Sequence, residues 1–321
     1  MSNETFDPFE GGDESTNALA GLVVPEDWPE DYRAGFVCLV GRPNAGKSTL
    51  TNALVGTKVA IMSDRPQTTR HTIRGVVHRD DGQLVLVDTP GLHRPRTLLG
   101  ERLNDLVRET LTQVDAVVLC LPANEKVGPG DRFIARELEH LRTPVFAAVT
   151  KADTVGRERM MEHLRDVQKL ADFAEIVPVS AVKGEQVELL ADLLLARMPL
   201  SPPLYPTGEL TDEPENVMIA ELVREAALEG VREELPHSLA VVVDEVITRG
   251  DRLDVHVSVY VERDSQKGIV IGRGGERLKA VGAQARRGIE ALLGRHIYLD
   301  LHVRVAKDWQ RDPKLLRRLG F

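Results

Sequence analysis

The stretch GRPNAGKS, residues 41–48, decides the fold. It fits G-x-x-x-x-G-K-[ST], and its flanks supply the context that makes this pattern a phosphate loop. FVCLV before it reads as a buried strand, and KSTLTNALVG, beginning with its own last two residues, reads as a helix. Gly41 and Gly46 let the backbone turn so that its N–H groups face phosphate oxygens, and the helix N-terminus adds partial positive charge. Lys47 is the residue expected to reach the β- and γ-phosphates, and Ser48 the one to ligate Mg²⁺. Arg42, Pro43, Asn44, Ala45 and Thr49 complete the expected nucleotide-facing set. A structural glycine turn is the competing reading, and the strand–loop–helix setting disfavours it.

Outward from this loop, strands and helices alternate. VVHRDDGQLVLVDTPG (76–91) reads as two strands joined at Asp81-Gly82. Helical and strand patterns then follow in turn to residue 198, predicting a doubly wound, mostly parallel α/β sheet. The expected units are an acidic extension over 1–33, a nucleotide-binding domain over 34–197, a proline-rich linker over 198–216, and a smaller α+β domain over 217–321. The extension is rich in Gly, Ser and Pro and reads as disordered into its low twenties. The linker holds five prolines and no apolar periodicity.

Two further segments belong with the phosphate loop. In LVLVDTPG, Asp88 ends a buried strand, where α/β sheets place ligand groups, and is expected to hold Mg²⁺ through water. Gly91 is positioned to offer its N–H to the γ-phosphate. PQTTRHTIRG (66–75) lies between these motifs and supplies threonines able to close on the metal. Thr69 is favoured over Thr68, which stays open. Lys47, Thr69, Asp88 and Gly91 therefore form the expected catalytic set.

Composition narrows the class. Of 321 residues, 42% are hydrophobic and 28% charged, as in a globular protein of more than one domain. No apolar run reaches a bilayer-spanning length, and no secretory leader is apparent, so a cytoplasmic location is expected, with at most a peripheral membrane fraction. Cys38 and Cys120 sit in apolar strands and read as buried thiols. The net charge of −9 is an average over unlike parts. The first 32 residues hold nine acidic residues and no Lys or Arg, whereas residues 263–321 hold 14 basic against six acidic. A basic region in an acidic chain suggests a polyanion site.

GRPNAGKS, QTTR, DTPG, TKAD (150–153) and PVSA (178–181), in this order, resemble the Era family of translation GTPases. IVIGRGGERLKAVGAQARRGIE followed by HIYLDLHVRVAKDW resembles that family's C-terminal KH domain. The resemblance covers about nine-tenths of the chain and implies a slow GTP-hydrolysing switch with GTP or GDP and Mg²⁺ as cofactors. It implies that Asp153 pairs with guanine N1–H and N2–H, that the stem of Lys151 lies along the base, and that Ser180-Ala181 supply an N–H to guanine O6. Leu92 stands where Ras-like proteins carry a water-orienting Gln, which implies a slow intrinsic rate. Asn44 implies K⁺ binding in place of an arginine finger; equal GTPase rates in K⁺ and Na⁺ would exclude it. Thr150 departs from the family's usual Asn, and a looser tie to the phosphate loop is expected from its shorter side chain and single donor.

In the second domain the pattern αββααβ, with a GxxG between two helices, matches a type II KH arrangement. GxxG alone is common, and the flanking helices give it weight. Gly272, Gly274 and Gly275 let the backbone press on nucleic acid, and Arg273 supplies charge for phosphates, beside a groove for about four nucleotides. Ile269, Val270 and Ile271 are expected to line its apolar floor. Arg277, Lys279, Arg286 and Arg287 extend the basic surface, although the last two are adjacent on a helix and point apart. Few aromatics are present, so single-stranded RNA gripped by the loop fits better than stacking on an aromatic platform. The family resemblance implies the 3′ region of 16S rRNA as target, the 30S subunit or its precursor as partner, a role in its assembly, and a monomer that does not bind DNA. The rivals are a metabolic P-loop kinase, a binding module with structural GTP, and another GTPase of the same superclass. A kinase would lack a reason for Asp153 and DTPG.

Overall fold

The computed structural model describes residues 28–62, 69–93, 95, 97–229, 238–319 and 321. The acidic stretch up to residue 27, Pro66 and the first two residues of QTTR, Gln67 and Thr68, lie outside the described residues.

Strands β1 (Arg33–Val40), β2 (Ile73–Arg79), β3 (Gly82–Asp88), β4 (Ala116–Pro122), β5 (Val145–Thr150) and β6 (Glu175–Pro178) form one sheet in the order β2-β3-β1-β4-β5-β6. Only β2 is antiparallel, hydrogen-bonded to β3 across the Asp81-Gly82 turn. The remaining strands are parallel, so they need covering on both faces and read as unbroken apolar runs. Their period of two sorts side chains between two cores. Val37, Leu39, Ala116, Val118 and Cys120 face α1 (Lys47–Val55) and α5 (Val187–Leu195). Cys38, Val40, Val117, Leu119 and Leu121 face α2 (Leu98–Leu111), α3 (Pro129–Leu138) and α4 (Arg157–Gln168). The two buried cysteines therefore lie on opposite faces of the sheet, out of reach of each other.

The proline-rich segment is strapped to the sheet. Val76 N–H donates to the Leu210 carbonyl at 2.9 Å, and Ala34 N–H to Pro199 at 3.2 Å. Buried Gln83 takes both the Leu204 and Tyr205 N–H groups on its Oε1 and donates to the Tyr205 carbonyl. Prolines lack the N–H a ladder needs, but carbonyls between them still accept. Arg74 adds an ion pair to Asp212 at 2.9 Å.

The second unit comprises α6 (Glu215–Leu228), β7 (Ala240–Arg249), β8 (Arg252–Val261), α7 (Asp264–Ile271), α8 (Glu276–Leu293) and β9 (Ile297–Val305). β7 and β8 are antiparallel and β8 and β9 parallel, which gives the type II KH arrangement. Helices cover one face of this sheet over a core of Val255, Val257, Val259, Val281, Ala285 and Ile289. The last helix, α9 (Pro313–Arg318), is capped by Asp312, whose carboxylate accepts from the Lys314 N–H at 2.7 Å. It packs with Trp309 against Leu99 and Leu103 of α2, forming an apolar seam between the two units.

Candidate functional site

The carboxyl ends of the parallel strands gather the motifs. Gly46 caps α1 in a left-handed conformation (φ 89°), and Asn44 also turns left-handed (φ 62°). These turns curl the loop around the start of α1. Lys47, 6% exposed, lies within the curl, its Nζ donating to the Gly41 and Arg42 carbonyls at 3.3 and 3.2 Å. Burial pushes its ammonium below the usual lysine range, and Asp88 opposes the shift.

Three oxygens converge beside it. Ser48 Oγ donates to Asp88 Oδ2 at 2.6 Å, lies 3.1 Å from Thr69 Oγ1, and Thr69 Oγ1 donates to the same carboxylate oxygen at 3.3 Å. Burial pushes the Asp88 carboxyl above the usual carboxylate range, against Lys47 and the two hydroxyls. Its Oδ1 is buried and has no hydrogen-bond partner among the described residues. A hard cation prefers such an all-oxygen set, and a divalent ion would compensate the buried charge. The donors therefore fit Mg²⁺.

DTPG folds against the phosphate loop. Thr89 Oγ1 donates to the Leu39 carbonyl at 2.7 Å, and Leu92 N–H to Gly41 at 3.2 Å. A Cβ on Gly91 would sit 2.7 Å from Pro43 N, so only glycine allows this approach. Leu92 is buried in the sheet core and presents no polar group to water.

At the end of β5, Lys151 turns left-handed (φ 56°) and Ala152 N–H donates to the Val179 carbonyl at 3.1 Å, bringing TKAD against PVSA. Ser180 Oγ donates to Asp153 Oδ1 at 2.7 Å and holds that carboxyl below its usual range, hence ionised and accepting. Ala181 follows at the same rim, half-buried. Thr150 makes the tie with its single donor. Its hydroxyl donates to the Ala45 carbonyl at 2.6 Å and is buried, so the tie to the phosphate loop is made by one short bond. Gly46 passes so close that its Cβ would touch the Thr150 side chain at 3.4 Å, which shows how a short residue reaches.

Arg42 points elsewhere. Its Nε donates to Asp131 Oδ1 at 2.7 Å and its Nη2 lies 3.1 Å from Glu125, clamping the loop to α3. Asp131 is buried and also accepts the Gly128 N–H at 2.8 Å. Sequence reasoning missed this residue. Pro-Gly-Asp marks a helix start, but no local pattern pairs positions 42 and 131. Thr49 lies on α1, half-buried.

In the second unit, Gly272, Gly274 and Gly275 adopt positive φ (74°, 59° and 81°), and Arg273 starts the short turn between α7 and α8. Ile269 is 52% exposed beside this loop and Ile271 half-buried, whereas Val270 is buried in the domain core. Arg277 leans back onto α6, its Nη2 donating to the Ala227 and Glu229 carbonyls at 3.3 and 2.9 Å. The C-terminal end of α6 uses it as a cap. Lys279 and Arg287 are exposed, and Arg286 lies 4.0 Å from Glu290. The floor and basic surface thus bring Ile269, Arg273, Lys279, Arg286 and Arg287 to the outside, leave Ile271 half-buried against the core, and turn Val270 and Arg277 inward.

This architecture defines a P-loop GTPase carrying a KH domain. A family model described as 50S ribosome-binding GTPase matches residues 36–151, and a KH domain model matches residues 234–310. GTPase Era of Streptomyces coelicolor is 66% identical over 302 residues, covering 90% of this chain and 95% of its own length. GTPase Era of Mycobacterium avium is 65% identical over 297 residues, covering 91% and 99%. A crystal structure of Era with MgGDPNP and nucleotides 1506–1542 of 16S ribosomal RNA superposes with TM-score 0.87 at 36% identity, covering 90% of this chain and 99% of that one. A variant Era of Aquifex aeolicus bound to GDP and AlF₄⁻ superposes equally, at 35% identity. The chain belongs to the Era family of GTPases. Among the described residues no helix is long and apolar enough to cross a membrane.

Proposed function

We propose that this chain is a GTP-driven switch that binds the 3′ region of 16S rRNA through its KH domain and assists maturation of the 30S subunit in the cytoplasm. The nucleotide unit is taken as residues 34–197, the segment 198–216 as a strap, and residues 217–321 as the RNA-binding unit. The observation that carries the reading is the convergence of Ser48, Thr69 and Asp88 oxygens beside buried Lys47, with the Asp153–Ser180 pair on the same rim.

Backbone N–H groups of the 41–48 loop cradle the β-phosphate, and Lys47 neutralises the β- and γ-oxygens. Ser48, Thr69 and Asp88 would hold Mg²⁺, the last through water, and the ion would supply positive charge to neutralise that developing on the phosphate oxygens. Gly91 offers its N–H to the γ-phosphate. Asp153, kept ionised by Ser180, accepts two donors from guanine; adenine leaves the carboxylate unpaired. Because Leu92 brings no water-orienting group, turnover is slow until another group supplies that role. Asn44, at the loop's crest, is the candidate contact for K⁺.

On the RNA side, the exposed loop 272–275 lies along the backbone, and Ile269 and Ile271 meet the bases. The relative bound to nucleotides 1506–1542 of 16S rRNA supports that target. RNA affinity measured with a non-hydrolysable GTP analogue and with GDP tests the switch. Tighter binding in the analogue state is expected, and equal affinities reject it. Crosslinking in cells that maps outside the 3′ region of 16S rRNA rejects the target.

A further inference from the structure

Arg70 directly follows Thr69, yet its side chain enters the second unit. The residue is 1% exposed. Its Nη1 donates to the Leu239 carbonyl at 2.6 Å. Its Cζ lies 5.5 Å from the Trp309 ring centre and 5.8 Å from that of Phe321. The two rings stack on each other, 5.6 Å between centres, and Phe321 also stacks on His71 at 5.1 Å. This slot is itself tied down. Trp309 Nε1 donates to the Ser238 carbonyl at 3.0 Å, and Arg102 of α2 donates to the Phe321 carbonyl oxygen at 2.7 Å.

Burying a guanidinium is costly, and burial pushes this one down to about 9. Arg224 adds repulsion, which Glu221 and Glu262 oppose. Such a cation is retained where π faces and a carbonyl replace its water. Trp309, Phe321 and Leu239 all lie beyond residue 216, in the second unit. Adjacent Cα atoms are about 3.8 Å apart, so a seated Arg70 leaves Thr69 little travel. In this arrangement Thr69 Oγ1 lies 3.1 Å from Ser48 Oγ and 3.3 Å from Asp88.

We propose that Arg70 is the positioning residue for Thr69, and that Trp309, Phe321 and the Leu239 carbonyl form its seat. The KH unit thereby holds Thr69 where the γ-phosphate and its Mg²⁺ require it. The inference deepens the switch reading and rests on it. Undocking of the second unit rehydrates Arg70 and frees Thr69, which weakens GTP relative to GDP because only the triphosphate state uses Thr69. Linkage makes the effect reciprocal, so GTP tightens the docking of the two units.

The test measures affinity for a non-hydrolysable GTP analogue and for GDP, in Mg²⁺, on full-length wild type, R70A, R70K, W309A, F321A and R70A/F321A. R70A is expected to lower the analogue-over-GDP preference by roughly 5- to 150-fold, the usual span of coupling between sites. R70K recovers part of it, since an ammonium keeps the cation–π contact. F321A, at a half-buried edge, stands in if W309A fails to fold. Its effect is expected to be contained within that of R70A, so the double variant matches R70A alone. A wild-type preference that survives R70A, or additive effects in the double variant, overturns the proposal and leaves the switch reading intact. The switch reading fails separately, if wild type binds RNA equally with the analogue and with GDP, and the proposal then falls with it.

Discussion

The molecule carries two glycine-rich loops for phosphates, and they are built in opposite senses. The loop over 41–48 is walled in. A Cβ on Gly41 would sit 2.8 Å from the Cys120 carbonyl, and Gly91 closes over it against Pro43. The loop over 272–275 has positive φ at three glycines, but a Cβ on Gly274 or Gly275 would meet nothing within 4 Å. The first encloses the end of one small molecule, so its glycines serve close approach inside the protein. The second presents bare backbone outward, as a polymer sliding past requires. Both loops turn on positive-φ glycines, and the surroundings decide what kind of phosphate each can hold.

The largest expected effect tests the enclosed loop. Lys47→Ala removes a desolvated cation from charge developing in the transition state, and GTP turnover should fall by about 10²–10³-fold, the scale for losing one preorganised electrostatic donor. A single-turnover assay reads this; a loss under a few-fold would remove Lys47 from the site. At the open loop, Gly275→Ala forces a left-handed conformation on a residue that disfavours it by about 1–2 kcal/mol. The melting temperature should fall only by the several degrees this strain accounts for, with no packing penalty on top, and RNA affinity should drop by the strain or less. A large loss of stability instead would mean the loop is not open, and the contrast would collapse.

Asp88→Asn sharpens the contrast through pH. Burial raises the Asp88 carboxyl, so the folded state holds that proton more tightly than the unfolded chain. Stability from this group is therefore present at low pH and lost as pH rises from the ordinary value of about 4 through the raised one. At neutral pH, without Mg²⁺ or nucleotide, the neutral variant should melt higher than wild type, by roughly 2–4 °C per kcal/mol relieved. The gap should close as pH falls below about 4. Mg²⁺ should stabilise wild type and leave the variant unmoved. A variant that melts lower at neutral pH breaks the account of Asp88 as a buried charge awaiting a cation. The smallest effect belongs to Thr150→Asn. With the Ala45 tie already made at 2.6 Å, exchanging one neutral hydrogen bond for another should shift nucleotide affinity by less than about 1.5 kcal/mol, with guanine preference kept. A larger gain, read by nucleotide titration, would bear out the expectation that threonine ties the loop more loosely than asparagine.

Much of this was legible in the chain. GRPNAGKS, DTPG, TKAD and PVSA each lie within eight residues at a strand end; apolar runs of four or five residues (FVCLV, LVLV, VFAAV) precede the first three, and the short Ile176-Val177 precedes PVSA. Unbroken apolar runs in FVCLV and AVVLCLP foretold burial on both faces, and the αββααβ order foretold the second sheet. Less legible were the single side chains. Val270 and Ile269 are neighbours of equal apolarity, yet helix phase buries one and exposes the other. Arg277 reads as one more basic residue on an RNA face, and only the nearby end of α6 turns it into a cap. The proline-rich stretch reads as a free linker because its partners, Gln83 and Val76, are more than a hundred residues away.

By itself, then, the sequence determined the class of site, the order of the elements and which residue types meet phosphate, metal and base. These are carried by short patterns whose backbone geometry is local. Tertiary structure alone decided that Arg42 clamps α3, that Thr150 reaches Ala45, and that Arg70 leaves the nucleotide site for a slot between Trp309 and Phe321. Each of those depends on two segments distant in the chain arriving within a few ångströms. Charge, hydroxyl or ring alone does not encode its partner; packing of the two cores and of the seam between them does.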